Sequence, residues 1–149
     1  MPSNTIAIAS DHAGFEIKSM LVLDIGKMGY KVLDLGTYGP ESVDYPDFGY
    51  AVAAAIKEGK AHRGVLVCGS GIGISIAANR HPEIRAALIH DALGARLSRQ
   101  HNDANVVCLG GRMIGADVAR DCVKVFLETD FEGGRHVQRV DKLSKPTSS

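Results

Sequence analysis

Five short apolar runs, each closed by a glycine or a polar turn, constrain this chain more than any other feature of its sequence. They are Thr5–Ser10, Lys31–Gly36, Gly64–Ser70, Ala86–His90 and Asn105–Gly111. The runs show almost no internal polar alternation, the pattern of strands covered on both faces rather than one. Helix-length stretches lie between them. In 14–28, Ile17, Leu21, Ile25 and Met28 recur at helical spacing, and Gly29 ends the stretch. Pro46 opens an alanine-rich helix that stops at Gly59. ISIAANR reads as a helix broken before Pro82, and Asp91 as the N-cap of ALGARLSRQ. The stretch 115–130 is the last long helix, with Val118, Cys122 and Val125 expected on one buried face. The segment EGGRHVQRVDKL reads as partly helical. Strands alternating with helices require parallel crossovers. The expected fold is therefore a three-layer, Rossmann-like α/β domain around a five-stranded, mostly parallel sheet.

Size and charge narrow the function classes. The 149 residues suit one domain spanning 1–149, with about 141–149 expected as a polar C-terminal tail. Seventeen basic residues balance seventeen acidic ones. That balance argues against general nucleic-acid or membrane-surface binding, both of which need a basic excess. No apolar run reaches the roughly 20 residues of a membrane span, and the first residues lack the pattern of a signal peptide. Cys68, Cys108 and Cys122 form neither a CxxC pair nor an even set, so a disulfide framework or zinc site is not expected and the cytoplasm is the default location.

In a sheet of this type, ligands bind beyond the carboxyl ends of the strands. The strongest feature there is VLVCGSGIGISIAAN, a strand, a loop with Gly69, Gly71 and Gly73, and a helix. Its GxGxG spacing departs from a dinucleotide fingerprint, and it lacks the lysine of a phosphate-binding P-loop. Glycines let backbone N–H groups approach a ligand, and the helix N-terminus adds positive potential, which suits a phosphate or a developing oxyanion. A tight turn packing strand on helix explains the same glycines. Cys68 stands at the strand end before the helix N-terminus, where thiolate is favoured and can act as base or nucleophile; a small buried side chain is the alternative. Cys108 and Cys122 read as core.

Three further clusters follow. Asp11 and His12 leave the first strand, either as a proton-handling pair or as a helix cap with a solvent histidine. His101 and Asn102 leave a helix before a strand, a turn expected at the far edge of the sheet, so they need a neighbouring subunit or a long helix end to reach the cleft. Arg112, Arg135, His136 and Arg139 form a basic set suited to phosphate, with Arg135 and Arg139 on one face if their segment is helical. A solvated charge run is the other reading of that tail. His62, His81 and His90 have no partner at a telling spacing, and no metal-ligand pattern is visible.

Taken together, DHAGF, DYPDF, VCGSGIGISIAANR, LSRQHNDANVVCLGGR and EGGRHVQR closely resemble the ribose-5-phosphate isomerase B family, in order from Ile6 to about Val140. Related isomerases of allose and galactose 6-phosphates share the pattern. The resemblance implies interconversion of ribose 5-phosphate and ribulose 5-phosphate in the pentose phosphate pathway, without metal or cofactor, through an enediolate. It implies Cys68 as the base, with Ser70 beside it shuttling protons. Some relatives carry a glutamate a few residues later in this loop, where Ile74 and Ser75 stand here. Gly69, Gly71 and Gly73 match the anion hole. His101 matches the ring-opening acid/base with Asp11 as its partner, and Asn102 and Tyr45 match residues on the sugar hydroxyls. His12, Arg112, Arg135 and Arg139 match the phosphate binders. A homodimer with sites shared between subunits is implied, with a tetramer as a further possibility. A hexose 6-phosphate isomerase is the first alternative. A non-catalytic phospholigand-binding module is the second, but it gives Cys68, His101 and Asp11 no joint purpose.

Overall fold

A computed structural model describes residues 4–146. They form strands β1 (Thr5–Ser10), β2 (Lys31–Asp34), β3 (Arg63–Cys68), β4 (Ala86–Leu88) and β5 (Val106–Gly110). The helices are α1 (Phe15–Lys27), α2 (Tyr45–Lys57), α3 (Ile72–Ala78), α4 (Ala92–Gln100), α5 (Ala116–Glu128) and α6 (His136–Leu143), with a 3-10 turn at His12–Gly14. The strand order is β2-β1-β3-β5-β4. Every pairing is parallel, including those of the two edge strands. The chain reverses its direction across the sheet at β1 and β3, so the carboxyl ends of these neighbours form the crevice where such sheets bind ligands.

The period-2 geometry of strands sorts the apolar runs into two cores. Ile6, Ile8, Val65, Val67, Val107 and Leu109 face α1, α4 and α5, where Leu21, Ile25, Ala95, Cys122, Val123 and Phe126 meet them. Ala7, Ala9, Leu66, Cys68, Val106 and Cys108 face α2 and α3, meeting Val52, Ala53, Ala55, Ile74 and Ala78. The alanines on the second face let the alanine-rich α2 lie close to the sheet. The absence of alternation in the sequence thus reflects burial on both faces in β1, β3 and β5. The edge strands β2 and β4 are only partly covered.

Local signals place the helices. Gly29 closes α1 with φ +99°, Pro46 sits in the first turn of α2, and Asp91 Oδ1 accepts the Gly94 N–H at 2.7 Å. Val118 departs from expectation. It is 41% exposed, because Ala119, Cys122, Val123, Phe126 and Leu127 form the buried face of α5. The polar tail expected from 141 begins later, since α6 continues through Leu143, and residues 147–149 of it lie outside the described residues. The opening residues 1–3 of the leader reading also lie outside them. Among the described residues, no helix is long and apolar enough to cross a membrane.

Lys18, on α1, is 1% exposed. Its ammonium donates to both oxygens of Asp34 at 2.7 and 2.9 Å and lies over the rings of Tyr38 and Phe15 at 5.1 and 5.6 Å from their centroids. Asp34 Oδ1 also accepts the Gly36 N–H at 3.0 Å. That turn flanks Ser10 on both sides, through Ser10 N–H to Gly36 O at 2.7 Å and Thr37 N–H to Ser10 O at 2.8 Å. The ion pair therefore secures the last residue before Asp11. Removing one partner of a buried pair strands the other charge, at a cost of about 3–5 kcal/mol when both are buried. Because the Asp34 side chain is 31% exposed, Asp34→Ala is expected to cost less, about 2–3 kcal/mol. Lys18→Met, which keeps volume and removes the charge, is expected to cost less than Asp34→Ala. Urea-unfolding midpoints of the two variants check this ordering.

Candidate active site

The carboxyl ends of β1, β3 and β5 carry most of the candidate residues. Cys68 ends β3 and is 4% exposed. Its Sγ accepts the Gly71 N–H at 3.2 Å, so the loop folds back onto the sulfur. Gly71 has φ +78°, a conformation that side chains other than glycine rarely adopt. Ser70 Oγ accepts the Ile72 N–H at 3.2 Å and covers the start of α3. Gly73 lies in the first turn of that helix, where N–H groups have no acceptor within the helix. A Cβ on Gly73 would run into the Tyr45 ring, so Tyr45, at the start of α2, packs directly over the loop.

The flanking strands close in on the same loop. Gly111 N–H donates to Cys68 O at 2.8 Å, and Arg112 N–H to Gly69 O at 3.0 Å. The Arg112 guanidinium folds back over Gly69, with Nη1 3.4 Å from where a Cβ on that glycine would stand. On the other side, Asp11 N–H donates to Val67 O at 3.2 Å. Asp11 Oδ1 caps the 3-10 turn by accepting Ala13 N–H at 3.0 Å and Gly14 N–H at 3.1 Å. His12 Nδ1 accepts the Val43 N–H at 3.2 Å, which fixes its tautomer with the proton on Nε2. Asp11, His12, Tyr45, Cys68, Gly69, Ser70, Gly71, Gly73 and Arg112 thus share one rim.

His101, Asn102 and Arg139 stand elsewhere. His101 is the C-cap of α4, the helix that leads back to the amino ends of the parallel strands. Arg135 is the N-cap of α6, with helical dihedrals, one turn before Arg139. His101, Asn102, His136, Arg139, Val140 and Leu143 line a cavity of about 290 Å3. A larger one, about 450 Å3, lies beside it at the amino end of β4 and shares Asn102 and Leu143, but its other walls come from 79–87, Ala104 and the residues after α6. The His101 and His136 rings stack at 4.6 Å between centroids. Glu132 Oε1 lies 3.9 Å from His101 Nε2 and 3.6 Å from His136 Nε2. Burial holds the His136 pKa below its ordinary value, with His101 and Arg135 adding to the effect and Glu132 opposing it.

The sequence reading pairs His101 with Asp11. Within one chain that pair is not made: Asp11 turns to its own cap, and the carboxylate beside His101 is that of Glu132. Glu132 was not among the expected residues, because it lies in a loop 31 positions from His101 and no spacing rule connects them. The other two cysteines are core, as expected. Burial, and secondarily Cys68, raises the Cys108 thiol above its ordinary range, and burial pushes the Cys122 thiol up to about 11.

Known proteins resemble the chain over nearly its full length. The chain is 43% identical over 139 residues to ribose-5-phosphate isomerase B of Escherichia coli K12, covering 93% of each chain. It is 40% identical over 141 residues to a D-erythrulose-4-phosphate isomerase of Pectobacterium atrosepticum, covering 93% of this chain and 92% of the relative. The solved structure of ribose-5-phosphate isomerase B from Clostridium thermocellum superposes with a TM-score of 0.93 at 51% identity and 95% coverage of both chains. The sequence pattern of the Ribose/Galactose Isomerase family matches residues 6–143. With the fold and nearly the full length in common, the chain belongs to the Ribose/Galactose Isomerase family.

Proposed function

We propose that this protein interconverts D-ribose 5-phosphate and D-ribulose 5-phosphate, an aldose–ketose isomerisation of the pentose phosphate pathway in the cytoplasm. The observation that carries the reading is the setting of Cys68. A sulfur at the carboxyl end of a central strand faces a glycine loop and a helix N-terminus, with Asp11, His12 and Arg112 on the same rim. The choice of a pentose phosphate rests on the 43% and 51% identities to relatives named ribose-5-phosphate isomerase B.

In this reading Cys68 removes the proton on C2 of the open-chain aldose and returns it to C1. The negative charge that develops on oxygen lies toward the loop N–H groups, where fixed dipoles stabilise it without reorganisation. Gly71 N–H is directed at the sulfur, so Gly69 and Gly73 supply the donors nearest the enediolate. Ser70 moves the proton between O2 and O1, and Tyr45 lies against the sugar. His12 and Arg112 draw the phosphate to the same rim. The substrate arrives as a closed furanose, and His101 opens it by acid/base catalysis.

His101, Asn102, Arg135 and Arg139 act in the site of a second subunit. Two observations support this. They stand at the opposite end of the sheet from Cys68, so one chain does not assemble the full set. The chain also exposes Ile72, Ile76, Leu93 and Leu97, which are 50%, 50%, 57% and 37% exposed, apolar surface of the kind that associates. The partner is a second copy in a homodimer.

Two experiments test the reading. Cys68→Ala is expected to abolish exchange of the C2 proton with solvent while sugar phosphate still binds. Deuterium wash-in with ribulose 5-phosphate, run beside a binding measurement, checks it, and near-normal exchange removes Cys68 as the base. Initial rates on ribose 5-phosphate are expected to exceed those on allose 6-phosphate, galactose 6-phosphate and erythrulose 4-phosphate.

The shared site is tested by complementation. Cys68→Ala and an Arg135→Ala/Arg139→Ala double variant are each expected to be inactive. Random mixing makes about half of the dimers mixed, and each mixed dimer has one intact site and one doubly defective site. Activity is therefore expected to recover to roughly a quarter of wild type. No recovery, with mixed dimers seen by native mass spectrometry, means that the arginines serve their own subunit's site or do not bind phosphate.

A further inference from the structure

The turn that carries His101 and Asn102 has a feature that the isomerase reading does not use. Asp103 follows them, and among the described residues it is the one non-glycine with a positive φ, +47°. That is the left-handed region, which is costly for a residue with a Cβ and which aspartate enters more readily than most. Helices commonly end on such a residue, usually a glycine. Here it turns the chain from α4 toward β5. Asp103 N–H donates to Arg99 O at 3.2 Å, and Ala104 N–H to Ser98 O at 2.9 Å.

Glycine makes such a turn with less strain, but the aspartate here has every polar group in use. Arg85 Nε donates to Asp103 O at 2.8 Å, and Arg85 Nη2 to Asp103 Oδ2 at 3.3 Å. Arg99 Nη1 donates to Asp103 Oδ1 at 2.9 Å. The two carboxylate oxygens are thus taken by guanidiniums from two elements, Arg85 directly before β4 and Arg99 in the last turn of α4. Arg99 is itself 5% exposed, and it is anchored further through Nε to Thr129 O at 3.0 Å and Nη1 to Ala104 O at 2.6 Å. A planar guanidinium with its donors filled in this way is a rigid support. None of these bonds goes to His101 or Asn102, whose side chains stay on the wall of the 290 Å3 cavity. The clamp fixes the backbone that carries them and leaves their side chains out of it.

We propose that Asp103 is a positioning residue for ring opening. Held between Arg85 and Arg99, its carboxylate sets where the His101–Asn102 turn stands, and so where the His101 imidazole meets a sugar in the second subunit's site. This role rests on the isomerase reading of His101. Its physical basis is distance. Proton transfer needs heavy atoms within about 2.6–3.2 Å of one another, and a misplacement of about 1 Å can cost about 100-fold in rate. A helix end held by backbone bonds alone frays, and the two arginines remove that freedom.

Two readouts in the full chain test it. Turnover of ribose 5-phosphate includes ring opening, whereas deuterium wash-in at C1 of ribulose 5-phosphate, an open-chain ketose, does not. Asp103→Gly keeps the left-handed backbone and deletes the clamp. It is expected to lower kcat for ribose 5-phosphate by about tenfold or more, while KM and the wash-in rate each change by less than about threefold. Asp103→Asn keeps an acceptor for Arg99 and is expected to recover part of the loss. Arg85→Met releases one side of the clamp and is expected to show the same split, so it gives a result even if Asp103→Gly does not fold. Wild-type turnover in Asp103→Gly overturns the role, because the left-handed turn alone then suffices. Equal losses of turnover and wash-in overturn it as well, because the residue then holds the fold rather than the ring-opening group. His101→Asn in the same assays separates the two failures. If it lowers both readouts alike, the ring-opening reading of His101 fails, and the role of Asp103 with it. If it lowers turnover alone while Asp103→Gly behaves as wild type, only the role of Asp103 fails.

Discussion

The rest of the structure depends on backbone packed against backbone at the carboxyl ends of β1, β3 and β5. A Cβ on Gly14 would stand 2.5 Å from Val67 O, and one on Gly110 would stand 2.7 Å from Ser70 O. Real Cβ atoms do not approach backbone so closely, so these passages meet only because the side chains are missing. The strand ladder continues beyond the strands in the same region, through Asp11 N–H to Val67 O, Gly111 N–H to Cys68 O and Arg112 N–H to Gly69 O. A rim built this way has little freedom to adjust. The sulfur of Cys68, the carboxylate of Asp11 and the guanidinium of Arg112 inherit their positions from main-chain contacts, which fluctuate less than contacts between side chains on loops.

The same topology explains why the candidates divide into two groups. In a parallel sheet every strand carries the chain toward the rim at the carboxyl ends and every crossover helix carries it back. A residue at the end of a helix is therefore delivered to the amino end of the next strand. α4 has nine residues, about 13–14 Å of rise, and it delivers His101 and Asn102 just before β5. In the proposed homodimer, a second copy related by a twofold axis brings the two groups together, since an isologous contact serves both sites at once.

Much of this was legible in the sequence because the signals were local. The apolar runs located all five strands, and Asp91 marked the start of α4. Glycine clusters pointed to the rim, although not to the partners that each glycine admits. What escaped was non-local. Nothing in the spacing of the chain marks Lys18 for burial, yet it is buried, because its stem crosses the gap between α1 and the turn after β2 and its ammonium ends on Asp34. Glu132 escaped because two backbone-accepted hydrogen bonds, rather than any spacing in the chain, carry it to His101. Val118 was misplaced because helical spacing alone does not set the phase of the buried face, which Ala119 and Cys122 decide.

Asp11 shows how two readings that compete in sequence can coexist in structure. Its cap role and its proposed role beside His101 seem to exclude one another only if the carboxylate is counted as a single acceptor. An ionised carboxylate has about four lone-pair sites on its two oxygens. Both capping bonds fall on Oδ1, and among the described residues no hydrogen bond reaches Oδ2. The cap therefore fixes the plane of the carboxylate and leaves its second oxygen available at the rim. In the proposed dimer, an imidazole from the second subunit would meet an acceptor already oriented by the turn it caps, and the structural role would become the means of the functional one.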